Sequence, residues 1–216
     1  MKKLIALAVI VLSIMNVSAQ KGTMYLGTSG INPFGEVNAI ATLSGASMSL
    51  SPMTGFTTQS YGDESFTTFG IAPEFGYFIA DDMIVGLGVF YTGSRYDDGL
   101  DSDDADHTEL NMNTFGLNPY FRYLFINKEK FNVYAQAGLT YATSKSDASG
   151  AKSINFFDIS VMPGISYNLS DRFAINATYG YLGYSNLGIE DADESENSFG
   201  LKLDMSTLRF GFTVSF

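Results

Sequence analysis

The sequence predicts an all-β chain, an up-and-down antiparallel barrel of eight strands. Three observations carry this expectation. Apolar and polar residues alternate with a period of two along most of the chain, short connections alternate with long ones, and a Pro-x-x-x-Tyr unit recurs just ahead of short connections. A strand turns successive side chains to opposite faces, so such alternation marks an element with one apolar and one polar side. Consecutive hairpins leave two bare edges, and closing the sheet on itself removes them.

The elements follow in order. A first strand near 22–28 places Met24 and Leu26 on its apolar face. In 69–79, Phe69, Ile71, Pro73, Phe75, Tyr77 and Ile79 oppose Thr68, Gly70, Ala72, Glu74 and Gly76. In 83–92, Met83, Val85, Leu87, Val89 and Tyr91 oppose Gly86, Gly88 and Thr92. Segments 115–125, 131–141, 157–169 and 173–181 repeat the pattern, with Phe115, Phe131, Phe157 and Phe173 opening the apolar faces. The last strand is the clearest: Leu208, Phe210, Phe212, Val214 and Phe216 alternate with Arg209, Gly211, Thr213 and Ser215. Just before it, Phe199, Leu201, Leu203 and Met205 occupy the opposite phase, which predicts a β-bulge near Ser206 and Thr207. Segments 108–125, 153–169 and 198–216 exceed the ~9–11 residues that cross a bilayer, so they should project beyond it at the long-loop end.

The Pro-x-x-x-Tyr unit stands at Pro73–Tyr77, Pro119–Tyr123 and Pro163–Tyr167. Tight turns follow at 80–82, 127–130 and 170–171, whereas 97–109, 144–153, 185–197 and the very long 29–65 form the other connections. An even strand number with short turns at one end and long loops at the other is the plan of a transmembrane barrel. Aromatic residues near both strand ends fit two membrane interfaces: Tyr77, Phe78, Tyr123, Phe125, Phe131, Tyr167 and Phe173 beside the tight turns, and Phe90, Tyr91, Tyr141, Phe156, Tyr181 and Tyr184 toward the loops. A secreted soluble barrel is the competing reading. It would need a solvated, charged exterior, but the polar face carries mainly Gly, Ser, Thr and Asn.

Composition sets the outer limits. The chain has 216 residues, no cysteine and a formal charge of −11. That length suits one domain. The acidic balance argues against nucleic-acid partners, which require a basic footprint. Without cysteine there are no disulfide frameworks, thiol nucleophiles or thiolate zinc sites. Met1-Lys2-Lys3, an apolar run from Leu4 to Val17 and the cleavage-site residues Val17-Ser18-Ala19, with Val17 and Ala19 at the −3 and −1 positions, have the layout of a signal peptide over 1–19, leaving one domain over 20–216.

With this pattern in place, the chain resembles the small eight-stranded outer-membrane β-barrel family of Gram-negative bacteria (OmpX-like, OmpW-like and OmpA-transmembrane-like). The residues that carry the resemblance are the signal segment, the repeated Pro-x-x-x-Tyr and the terminal Phe216 with its alternating apolar neighbours. The resemblance covers essentially everything from Gly22. It implies the cell outer membrane as location and Leu208, Phe210, Phe212, Val214 and Phe216 as the signal read by the barrel-assembly machinery. It also implies outer-membrane lipid and lipopolysaccharide as surroundings, with a monomer expected. Its functions range over adhesins, lipid-A enzymes and small-solute channels, so it does not select one. No peptidoglycan-binding domain is expected after Phe216.

Candidate chemistry lies in the lumen and the loops. Glu74, Arg122, Asp158 and Arg209 fall on the lumen face, where isolated charges are costly. Two acids and two bases should pair, as a structural plug helped by Tyr120 and Tyr134 or as a gate for small ions. Residues 97–109 carry seven acids and no Lys or Arg, and Glu190, Asp191, Asp193, Glu194 and Glu196 add five more. Solvated loops that repel one another are the first reading. A hard-cation site on Asp101, Asp103, Asp104 and Asp106 is the second, without the EF-hand spacing. His107, the only histidine, reads as an exposed loop residue rather than the base of a lipid-modifying enzyme. The segment 29–65 reads either as an apolar lid or as an extension of the first two strands. No cofactor is expected. The leading function is a non-enzymatic surface structural or interaction protein with a plugged lumen and an extracellular partner. The alternatives are a channel or transporter for small or hydrophobic solutes and a lipid-modifying enzyme.

Overall fold

In a computed structural model of the chain, the described residues are 21–31, 54–100, 109–148, 150–190 and 195–216. The expected signal segment, His107 and the acidic positions Asp101, Asp103, Asp104, Asp106, Asp191, Asp193 and Glu194 lie outside them. The strands are β1 (Met24–Ile31), β2 (Gly55–Tyr61), β3 (Glu64–Ile71), β4 (Pro73–Ala80), β5 (Met83–Asp97), β6 (Glu109–Asn127), β7 (Phe131–Ser146), β8 (Ile154–Asn168), β9 (Phe173–Thr178), β10 (Tyr181–Ile189), β11 (Ser195–Lys202) and β12 (Arg209–Ser215). Three pairs are halves of one barrel strand: β3 with β4, β9 with β10, and β11 with β12. β2 continues the line of β1 beside β3. The result is eight antiparallel strands, closed where β1 pairs with β12 from Tyr25–Ser215 to Ile31–Phe210. Phe216 adds a reciprocal pair of backbone hydrogen bonds with Met24.

The distribution of polarity settles membrane against soluble barrel. The exposed large apolar residues, among them Leu87, Leu117, Phe121, Leu139, Ile159, Ile165 and Phe212, lie on the outer face. The interior buries Thr68, Thr92, Thr114, Thr140, Ser144, Asn176 and Thr213. This inside-out arrangement suits lipid outside and a polar lumen. Tyr91, Phe115, Tyr141 and Tyr184 form the outward belt on one side, and Tyr123, Phe125, Phe131, Tyr167 and Phe173 the other. Phe115 to Phe125 runs about 33 Å along its strand, or about 25 Å of membrane depth at a tilt of about 40°. β6 is 19 residues long and β7 is 16, so both continue past this band.

Several expectations need correction. Phe78, Phe90 and Phe156 are buried in the lumen rather than in the belts. Tyr181 also turns inward, because the phase of its strand flips at Gly180, which holds φ +91°. The cause is next door. Pro163 accepts a hydrogen bond from the Tyr179 amide, so its own missing N–H faces the same neighbour and the ladder breaks there. The phase change before β12 is a 3-10 turn, Met205–Thr207, rather than a bulge. Asp204 caps it by accepting from the Ser206 amide and hydroxyl. The two breaks are tied together: Gly180 N donates to Thr207 Oγ1 at 2.9 Å. The supposed loop 185–197 is mostly a hairpin, since β10 and β11 pair from Tyr181–Lys202 to Gly188–Ser195. Part of 29–65 is also strand: β2 turns tightly at Gly62 into β3. Thr54 seats β2 directly over the end of β1, its amide donating to Gly30 O at 3.1 Å and its hydroxyl to Ser29 O at 2.8 Å.

Candidate functional site in the barrel interior

The interior is solid near the short-turn end and again around Phe90 toward the loops, and cross-strand register explains why. Tyr25 lies opposite Gly76, Tyr120 opposite Gly86, Phe90 opposite Gly116 and Tyr134 opposite Gly164. In each pair the ring covers the glycine so closely that an added Cβ would stand 2.2 to 2.4 Å from a ring atom. Only glycine leaves room for a ring to lie flat on the wall, and the rings then fill a lumen too narrow for upright side chains. Tyr25, Phe78, Ile84, Tyr120, Leu124 and Tyr134 make one buried cluster; Ala72, Phe90, Ala142, Ile154 and Phe156 make a second toward the loops.

Arg122 is seated in the first cluster and is 5% exposed. Its guanidinium carbon sits 4.4 Å from the Tyr134 ring centroid, 5.4 Å from Tyr120 and 5.8 Å from Tyr25. Nε and Nη2 both donate to Gln136 Oε1, at 3.0 and 2.7 Å, and Nη2 reaches Glu74 Oε1 at 3.6 Å. A buried cation is tolerable when a counter-charge, hydrogen bonds and ring faces replace its hydration together. Tyr25 and Tyr120 close the cage through a 2.5 Å hydroxyl–hydroxyl contact. The expected pairing of Glu74 with Arg122 is therefore present, and Tyr120 and Tyr134 stand beside it as expected. Tyr25 and Gln136 are additions: both were legible as lumen-facing, but neither carries a charge to draw attention.

The second expected pair does not form. Asp158 accepts from Ser160 Oγ at 2.8 Å and from the Tyr181 hydroxyl, which satisfies its two oxygens without a cation. Arg209, one strand beyond the neighbour of β8, makes no ion pair in direct contact with it, although the two charges act on each other across the lumen. Two separated sites thus replace the predicted four-charge network, because the phase flips at Gly180 and Thr207 bring Tyr181 rather than Arg209 onto the Asp158 carboxylate. Between them lies a cavity of about 290 Å³. Glu74 and Arg122 floor it, Asp158, Thr178 and Arg209 wall it, and it runs up toward Lys202 at the β11 end.

At the rim, Arg95 bridges Glu109 at 2.8 Å and Asp97 at 3.4 Å, so two of the acids read as mutually repelling are tied to one cation. Asp147 accepts from both the backbone amide and the side chain of Asn111, each at 2.9 Å, and these bonds hold its carboxyl below the ordinary range. Among the described residues no cluster of metal-ligating side chains is present. In the expected terminal signal, Phe210, Phe212 and Val214 lie on β12, Leu208 closes the 3-10 turn before it, and Phe216 follows it.

Fold and interior together define a transmembrane β-barrel of the outer-membrane type. The chain belongs to the family described as "Outer membrane protein beta-barrel domain", which matches residues 4–216. Its location is accordingly the outer membrane. No curated protein sequence matches it. Among solved structures it is similar to the N-terminal β-barrel domain of Pseudomonas aeruginosa OprF (12% identity, TM-score 0.39, covering 91% of this chain and 99% of that one). It is also similar to P. aeruginosa outer membrane protein OprG (15%, 0.47, 92% and 98%) and to Neisserial surface protein A (16%, 0.43, 94% and 100%).

Proposed function

We propose that the protein is a non-enzymatic surface structural or interaction protein of the outer membrane, whose lumen is plugged at the short-turn end. One observation carries this reading: Arg122 is enclosed by three tyrosine rings, Gln136 and Glu74, all of them buried. Moving that guanidinium aside to admit a hydrated ion would break its ion pair, its hydrogen bonds and its ring contacts together. The long β5, β6 and β7 then serve to lift the acidic rim away from the membrane toward an extracellular partner. Outer-membrane lipid surrounds the apolar belt, and the outward residues of the last strand, Phe210, Phe212, Val214 and Phe216 with Leu208 before it, act as the assembly signal after export by the 1–19 leader.

The purified chain refolded into planar bilayers is expected to give no large, stable current steps, and such steps from the wild-type protein would sink the plug. A second reading, passage of small solutes, is favoured by the cavity above the plug. It requires Arg122→Ala or Glu74→Ala to change conductance or uptake; unchanged values in both would remove it.

A further inference from the structure

We infer that the upper lumen is a binding pocket for a small solute with one carboxylate and a short apolar body, anchored by Arg209. Six charged side chains line the cavity: Glu74, Arg122, Asp158, Glu196, Lys202 and Arg209. Glu74 and Arg122 engage each other, and Asp158 has a donor on each oxygen. Glu196 and Lys202 are exposed on β11. Arg209 differs from all of these. Its side chain lines the cavity and is partly shielded from solvent, and the charge of Asp158 acts on it across the cavity, yet among the described residues it has neither a hydrogen bond nor an ion pair in direct contact. A guanidinium offers five donors in a fixed fork that matches a carboxylate, and here that hydrogen-bonding capacity is unused.

The surroundings specify the rest of the ligand. Thr178, the register partner of Arg209, stands beside it, while Phe156 and Met162 supply apolar wall. A cavity of about 290 Å³ has ample room for a carboxylate with a short apolar body and lies at the small end of ligand pockets. Asp158 and Glu196 disfavour a second negative charge, so a monoanion fits better than a dicarboxylate. The floor at Arg122 makes the pocket blind at the short-turn end, so the solute enters from the loop side. The inference stands apart from the question of conduction, since it concerns binding rather than passage.

The test uses the full chain refolded in an uncharged maltoside micelle, with butyrate as probe and butyramide as its neutral isostere. Methyl signals of Thr178 and Met162 and the Nε signal of Arg209 are followed by NMR. Butyrate is expected to shift them saturably, with a midpoint of about 1–10 mM, and butyramide is not. Arg209→Gln should weaken butyrate binding about tenfold or more, and Arg209→Lys by less. Saturation absent with butyrate, equal shifts with butyramide, or unchanged affinity in Arg209→Gln would each overturn the proposal. Should Arg209→Gln fail to fold, the butyrate–butyramide contrast on the wild-type chain decides alone.

Discussion

The two levels of the lumen are built from one wall and packed in opposite ways. Toward the short turns, lumen glycines face aromatic rings across the ladder, and Arg122 is sealed among them. On the side formed by β9 to β12 and the end of β1, the inward positions include Asn176, Thr178, Ser198, Gly200 and Arg209; the Tyr181 ring lies over Gly183, but among the described residues no ring covers Gly200. The backbone supplies the same space in both. What differs is whether a ring stands opposite a lumen glycine, as Tyr134 does Gly164, or another glycine does, as Gly183 does Gly200, so pairing between strands helps decide where a narrow barrel is solid and where it is hollow.

The two arginines provide the largest contrast. Arg122→Met strips the counter-charge from buried Glu74 and should cost about 3–5 kcal/mol, read as a lower urea midpoint for the refolded barrel and loss of its heat-dependent gel shift. Adding Glu74→Gln to it should restore much of the loss, since no unpaired charge then remains. Arg209→Gln should change stability by no more than about 0.5 kcal/mol, because no hydrogen bond or direct ion pair is broken and the attraction of Asp158 acts only across the cavity. Equal losses at the two positions would break the division into plug and pocket.

Glycines provide the next. Gly164→Ala drives a Cβ to 2.4 Å from the Tyr134 ring, which rests on Arg122 and cannot retreat freely. A loss of about 1–3 kcal/mol is expected. Gly200→Ala meets nothing within 4 Å and should be close to neutral in the same urea titration.

How far the sequence already contained this division depends on the element. The eight strands, their lipid faces and the short turns were legible because alternation is local, and the lumen placement of Glu74 and Arg122 followed from it. That Asp158 would be taken by Tyr181 rather than by a cation was not legible, because it depends on the phase slip at Gly180 beside the proline of the neighbouring β8. Phe78, Phe90 and Phe156 were misread for a related reason: an aromatic near a strand end suits a membrane interface as well as a glycine-lined lumen. Only the register, which sets Gly116 opposite Phe90, distinguishes the two. Residue counting along one strand cannot supply a partner on the next.

The tyrosine hydroxyls give the finest test of the contrast. In the plug, the Tyr134 hydroxyl is buried with no hydrogen-bond partner among the described residues, and the residue contributes its ring face to Arg122. Removing the oxygen in Tyr134→Phe deletes an unsatisfied polar atom while keeping the ring, so stability should hold or rise by up to about 1 kcal/mol. In the hollow half the hydroxyl matters more than the ring: Tyr181 donates to Asp158 and lies half-open to the cavity. Tyr181→Phe leaves that carboxylate with Ser160 alone among its donors, a loss of about 1 kcal/mol after allowing for water in the cavity. Paired urea titrations of the two variants therefore have opposite expected signs. A Tyr134→Phe loss as large as that of Tyr181→Phe would mean that the Tyr134 hydroxyl has a partner in the folded barrel, and that the plug is held by hydrogen bonds rather than by rings stacked on glycine and on Arg122.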